Sequence, residues 1–174
     1  MPLVFFEYQE KICSAIPHEN SNETRFKMAV AELTGGNKTA ARVAFRHLEI
    51  DSSYKALAVL GVGVLDRNLK SFHEAERLMD SSIKDKYKEP IKQMVNVKYD
   101  NRDTPLIVAT KAPDPQSVRF LISLGANVNE KGNYNATALR IAAYFTPSES
   151  EVDSVIEITR ILLNAGADAS VVTY

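Results

Sequence analysis

Most of the chemistry this chain could offer rests on Cys13, His18, His47 and His73. Cys13 and His18 stand five positions apart, and a thiol that passes its proton to an imidazole becomes a nucleophile. However, Phe5, Tyr8, Ile12 and Ile16 recur at helical spacing. Cys13 sits in that apolar stripe, where a thiol is a small, inert core side chain. The three histidines are scattered, and neither H-x-x-x-H nor C-x-x-C spacing occurs, so no metal site is expected. No phosphate-binding glycine loop is present, because GVGV at 61–64 matches neither glycine pattern. The basic run KDKYKEPIK at 84–92 is broken by Asp85 and Glu89 and reads as a solvated face. Tyr144 and Phe145 are either a stacking pair for a ligand or packing beneath the segment that follows them. No catalytic residue and no cofactor are therefore expected, and the chain does not read as an enzyme.

The bulk properties agree with a soluble domain that carries no strong field. The 174 residues hold 21 basic and 22 acidic side chains, a net charge of −1, which gives no general attraction to nucleic acid or an anionic membrane. The longest apolar run, ALAVLGVGVL at 56–65, falls well short of the about 20 residues that span a bilayer, so no membrane insertion is expected. The N-terminus has no basic stretch ahead of its apolar residues, and Glu7 interrupts them early, unlike a secretion signal. A single cysteine allows no disulfide within the chain, which fits a cytoplasmic location.

What positions these residues is a repeat. Thr137 follows Thr104 at a step of 33, and Val128-Asn129 follows Val95-Asn96 at the same step. Each Asn precedes the next Thr by a step of 8, from 96 to 104 and from 129 to 137. The segments TPLIVAT and FLISLGANVN, followed by TALRIAA and ILLNAGADAS, resemble the ankyrin repeat. That repeat reads T-P-L-H-x-A-A, then a second helix, then L-L-x-x-G-A-D-V-N. Weaker copies lie upstream. TAARVAF at 39–45 stands beside TALRIAA, and SFHEAERL at 71–78 follows the P-L-H-x-A-A pattern. Thr39, Lys70, Thr104 and Thr137 then hold equivalent positions, at steps of 31, 34 and 33. A tetratricopeptide-like helix pair is the alternative for residues 36–82; the match of TAARVAF to TALRIAA favours ankyrin.

The resemblance implies an all-α solenoid of helix-turn-helix units with N-terminal capping helices. The cap would occupy residues 1–36, with units at 37–66, 67–99, 100–132 and 133–174. Asn22 would cap a helix that turns Phe26, Val30 and Leu33 inward. Stacking of the last two units would hide Leu106, Val108, Ala109, Phe120, Leu121 and Ile122 against Leu139, Ile141, Ala142, Ile161, Leu162 and Leu163. Ala109, Ala142 and Ala143 would let the helices approach closely. Thr104-Pro105 starts a helix well, and Gly125 and Gly166 suit the left-handed position that ends one. Arg102 and Asn135 replace a family glycine two positions before the Thr; Asn tolerates a left-handed conformation better than Arg, so the Arg102 turn is the one expected to be distorted. Pro90 should stop the second helix of its unit early. Eight extra residues, around TPSESEVD, separate the two helices of the last unit.

An ankyrin stack implies that this chain binds another protein on a concave face made of turn tips and first-helix ends. The variable family positions map onto Arg46, His47, Asp66, Arg67, Arg77, Asp100, Asn101, Asp103, Lys111, Asn133, Tyr134, Tyr144 and Phe145. Asn129 occupies the V-N turn at which ankyrin asparagines can be hydroxylated, with Leu121 eight positions earlier as that pattern wants. Ile161, Leu162 and the terminal valines should leave an apolar patch through which copies self-associate. An alternative reading makes the chain the targeting part of a larger secreted effector or enzyme, working in a host-cell cytoplasm, as bacterial ankyrin proteins often do. The end at Val171-Val172-Thr173-Tyr174, straight after a repeat, fits that alternative.

Overall fold

A computed structural model describes residues 21–172. The Cys13–His18 pair, the apolar stripe of residues 5–16, Thr173, Tyr174 and the side chains of Val171 and Val172 lie outside what is described. Among the described residues there are ten α-helices and no strand. They are α1 (Asn22–Thr34), α2 (Lys38–Leu48), α3 (Lys55–Asp66), α4 (Leu69–Leu78), α5 (Ser81–Lys86), α6 (Lys88–Val95), α7 (Pro105–Lys111), α8 (Pro115–Ser123), α9 (Ala138–Tyr144) and α10 (Val152–Asn164). Short 3-10 turns occupy Asn133–Asn135, Glu149–Glu151 and Ala169–Val172. One continuous core runs from Phe26 to Ala167. Among the described residues no helix is long and apolar enough to cross a membrane.

Side-chain caps start most of the helices. Thr104 accepts from the Ile107 N–H at 3.4 Å and Thr137 from the Arg140 N–H at 3.2 Å, satisfying donors that the first turn leaves open. In the two upstream copies the cap sits two positions before the aligned one. Asn37, not Thr39, accepts from the Ala40 N–H, and Asn68, not Lys70, is the cap of α4. Helices α2 and α4 are accordingly longer, 11 and 10 residues against 7 in both α7 and α9. Ser21, not Asn22, caps α1. Asn22 instead donates to Asp51 at 2.5 Å, while Phe26, Val30 and Leu33 are buried as expected.

The helix aligned with α8 does stop early, at Lys86, while Pro90 itself belongs to the next helix. It lies in the first turn of α6, where the missing N–H costs nothing. What the proline removes is the amide that would have bonded the Lys86 carbonyl, and the chain breaks there, between α5 and α6 at Tyr87. The eight-residue insertion is shared between loop and helix. The 145–151 connection is longer than its counterpart at 112–114, and α10 has 13 residues against 9 in α8. A capping box closes the loop: Ser148 and Glu151 bond each other, with the Ser148 N–H donating to the Glu151 carboxylate at 2.9 Å.

In the last two units α9 packs on α7 and α10 on α8. Leu106, Ala109, Phe120, Leu121, Leu139, Ala142 and Leu162 are buried there; Val108, Ile122, Ile141 and Ile161 are half-buried. Leu163 and Ala143 are exposed, so neither contributes to that contact. The N-terminal half closes on itself, with α1 packed against α2, α3 and α6.

Candidate partner-binding surface

Two turns closed by the same backbone bond form the tips between units. In the first, the Tyr99 N–H donates to the Asp103 carbonyl at 2.9 Å; one repeat later, the Gly132 N–H donates to the Ala136 carbonyl at 2.9 Å. Each turn needs a left-handed residue at the expected place, and Arg102 (φ 66°) and Asn135 (φ 54°) supply it in place of glycine. Tyr134 adopts the same region (φ 52°), as does Arg67 (φ 54°) where α3 ends. Gly125 and Gly166 end α8 and α10 with φ of 91° and 84°.

Asp103 is not on the surface, contrary to the expectation that it would touch a partner. It is 1% exposed. Its carboxylate accepts from Lys111 Nζ at 2.6 Å, Asn101 Nδ2 at 2.9 Å and the Asn133 backbone N–H at 3.2 Å. A buried carboxylate must be surrounded by donors in this way, and here Asn101 and Asn133 come from the two neighbouring turns and Lys111 from the end of α7. The group is a brace between units, and it holds Asn101, Lys111 and Asn133 in place around it.

Arg67 and Asp100 come together beside Tyr99. The Arg67 guanidinium lies 4.3 Å from the centre of the Tyr99 ring, whose hydroxyl donates to the Val64 carbonyl at 2.8 Å. Burial pushes the Tyr99 phenol well above its ordinary pKa. Lys38 Nζ donates to both Asp100 oxygens, at 2.7 and 2.6 Å. That hydrogen bonding and the lysine charge, with a smaller contribution from Arg67, hold the Asp100 carboxyl below the usual range. Asp66 is paired with Arg42. No sequence pattern pointed to Lys38, Arg42 or Tyr99, since these partners depend on how α2 and the 96–100 segment fold together.

Arg46 and His47 are exposed on the last turn of α2, and Arg77 on the last turn of α4. At the far tip Tyr134 is 90% exposed. Tyr144 is 45% exposed, with the Arg140 guanidinium 5.9 Å from its ring centre, and Phe145 beside it is half-buried.

Asn129 is committed to the next unit. Its side chain donates to the Gly166 carbonyl at 3.1 Å and accepts from the Asp168 N–H at 2.8 Å. Asn96, one repeat earlier, makes the matching pair, donating to the Gly125 carbonyl at 3.0 Å and accepting from the Asn127 N–H at 2.8 Å. The repeated Val-Asn is the sequence signal for this clasp. Among the described residues no three His, Cys, Asp or Glu side chains converge as metal ligands would.

No curated protein and no solved structure matches this chain. Residues 78–173, more than half of its length, match the family described as ankyrin repeats, in three copies. With the period of 33 in the sequence and the repeated turns, caps and asparagine clasps in the structure, that match shows that the chain belongs to the ankyrin-repeat family.

Proposed function

We propose that the chain binds a partner protein through the side of the stack that carries the turn tips and first-helix ends, with units at 37–66, 67–99, 100–132 and 133–174. Ankyrin repeats are in general protein–protein interaction modules, and the family is typically not catalytic. The supporting observation is Tyr134. A large aromatic side chain stands 90% exposed at a tip, on a residue whose left-handed backbone is unusual for its type. Such a side chain buries little in its own fold and is of the kind that carries binding energy once desolvated, and Tyr144 is partly exposed at the end of the helix that follows. Arg46, His47, Asp66, Arg67, Arg77, Asp100, Asn101, Lys111, Asn133 and Phe145 would form the surrounding polar and aromatic surface.

The test is a pull-down compared by mass spectrometry between the wild type and the Tyr134→Ala, Tyr144→Ala double variant. Loss of a partner with little change in thermal stability supports the reading. Full retention of every partner overturns it. Arg119→Ala, on the second helix of the preceding unit, is the control expected to keep binding. The insertion is tested by Glu149→Lys with Ser150→Ala. Deleting residues 146–153 outright would also remove Val152 and Asp153 from the start of α10. Cys13→Ser should leave binding unchanged.

A further inference from the structure

Helix α10 shows an apolar stripe to water. Val152, Ile156 and Leu163 are 39%, 52% and 46% exposed. With Thr159 they recur at steps of four, three and four, the spacing that keeps side chains on one helix seam. Ile158 and Leu162 point the other way, into the core. Glu157 pairs with Arg119 of α8 at 2.6 Å, which places α8 on the flank away from the stripe. The stripe therefore faces the side on which a further helix would extend the stack that α8 and α10 begin. This differs from the sequence expectation of a patch at Ile161 and Leu162: Leu162 is fully buried and Ile161 is half-buried.

We propose that this stripe is a homodimer contact, in which α10 of one copy packs antiparallel against α10 of a second copy. Charge selects this occupant and this direction. Asp153 and Arg160 lie on the same edge of the stripe, seven positions apart. Both are exposed, and no ion pair within the described residues uses either. When two antiparallel helices meet across a twofold axis, like edges face each other. With the axis between positions 156 and 157, Asp153 of each copy stands opposite Arg160 of the other. Two reciprocal ion pairs then bracket the two Ile156 side chains. A parallel pairing, whose twofold runs along the helices, would put these edges on opposite sides of the seam, where neither Asp153 nor Arg160 meets an opposite charge. The seam is short, so the dimer is weak and depends on concentration.

Sedimentation equilibrium of the full chain, up to about 1 mM, tests this. The wild type should associate to a dimer, and Ile156→Asp should be monomeric with an unchanged far-ultraviolet spectrum. Asp153→Lys alone and Arg160→Glu alone should each weaken the dimer by at least about fivefold, and the two together should restore it. A chain that stays monomeric throughout overturns the proposal. So does a dimer indifferent to Ile156→Asp, or a double reversal that remains weak.

Discussion

Replacing Asp103 by Ala should destabilise the fold rather than weaken a surface contact. The carboxylate accepts three hydrogen bonds inside the protein, and their donors differ in what they can recover. Lys111 and Asn101 are exposed residues and return to water once the carboxylate is gone. The Asn133 N–H is half-buried and loses a charge-assisted bond, worth about 1.5–3 kcal/mol. The two donors that recover water add about 0.5 kcal/mol each, since net hydrogen-bond contributions of exposed groups sit at the low end of the range. The loss should total about 2.5–4 kcal/mol, or about 5–16 °C in Tm at about 2–4 °C per kcal/mol for a chain of this size. Asp103→Asn keeps the shape and one acceptor and should lose about half as much. Urea unfolding with an unchanged m-value, read beside calorimetry, measures both. A loss below about 1 kcal/mol for the Ala variant would refute the view of this residue as a brace between units.

Other outcomes follow from the same contacts. Asn129→Ala removes two bonds to the next unit and should cost about 1–2 kcal/mol in urea unfolding, with Asn96→Ala at the preceding junction costing a similar amount. Incubation with an asparaginyl oxygenase should add one oxygen at Asn129, and an unchanged intact mass would count against that modification. Gly132→Ala places a Cβ 2.6 Å from Ile107 Cδ1 and 2.7 Å from Asp103 Oδ1, and should lower stability by about 1–3 kcal/mol through overpacking, with no change in binding if the tip only shifts. Hydrogen bonding from Lys98 holds the Glu130 carboxyl below its ordinary 4.5, so the folded state binds that proton less readily than the unfolded one. The stability that this pair contributes is complete above the ordinary value and fades as the pH falls through the lowered one. The gap between wild type and Lys98→Met should therefore close in acid, and a gap that persists at about pH 2.5 would contradict the assignment.

The C-terminal half is legible in sequence because its signals are local. Thr104 and Thr137 cap helices within their own first turn, and Gly125 and Gly166 adopt left-handed geometry because the helix end next to them requires it. The period of 33 sets how the helices α7 to α10 stack. What escapes a sequence reading is set by distant chain. Asp103 reads as a surface carboxylate until the Asn133 amide, from the next turn, folds over it. Leu162 and Leu163 look alike in sequence, and only the rotation of α10 decides that the first is buried and the second exposed. The caps at Asn37 and Asn68 are hidden because alignment to the Thr-led units places those helix starts two positions late. Arg102 occupies a turn position that favours glycine, and its cost there is met by the two backbone bonds that close the turn.

The asparagine clasps have a consequence for how the molecule comes apart. In the region from α7 to α10 each unit is hooked to the one before it, at Asn96 and then at Asn129, besides the packing of its helices, so opening can proceed like a zipper from the C-terminal end. The other end is sealed by contacts that skip units, since α1 touches α6 and Lys38 reaches Asp100. Amide protons of α9 and α10 should exchange through partial opening while those of α1 to α6 wait for the whole structure to unfold. Cooperativity in this chain is thus expected to be graded along its length, with the C-terminal units loosening before the rest dissolves.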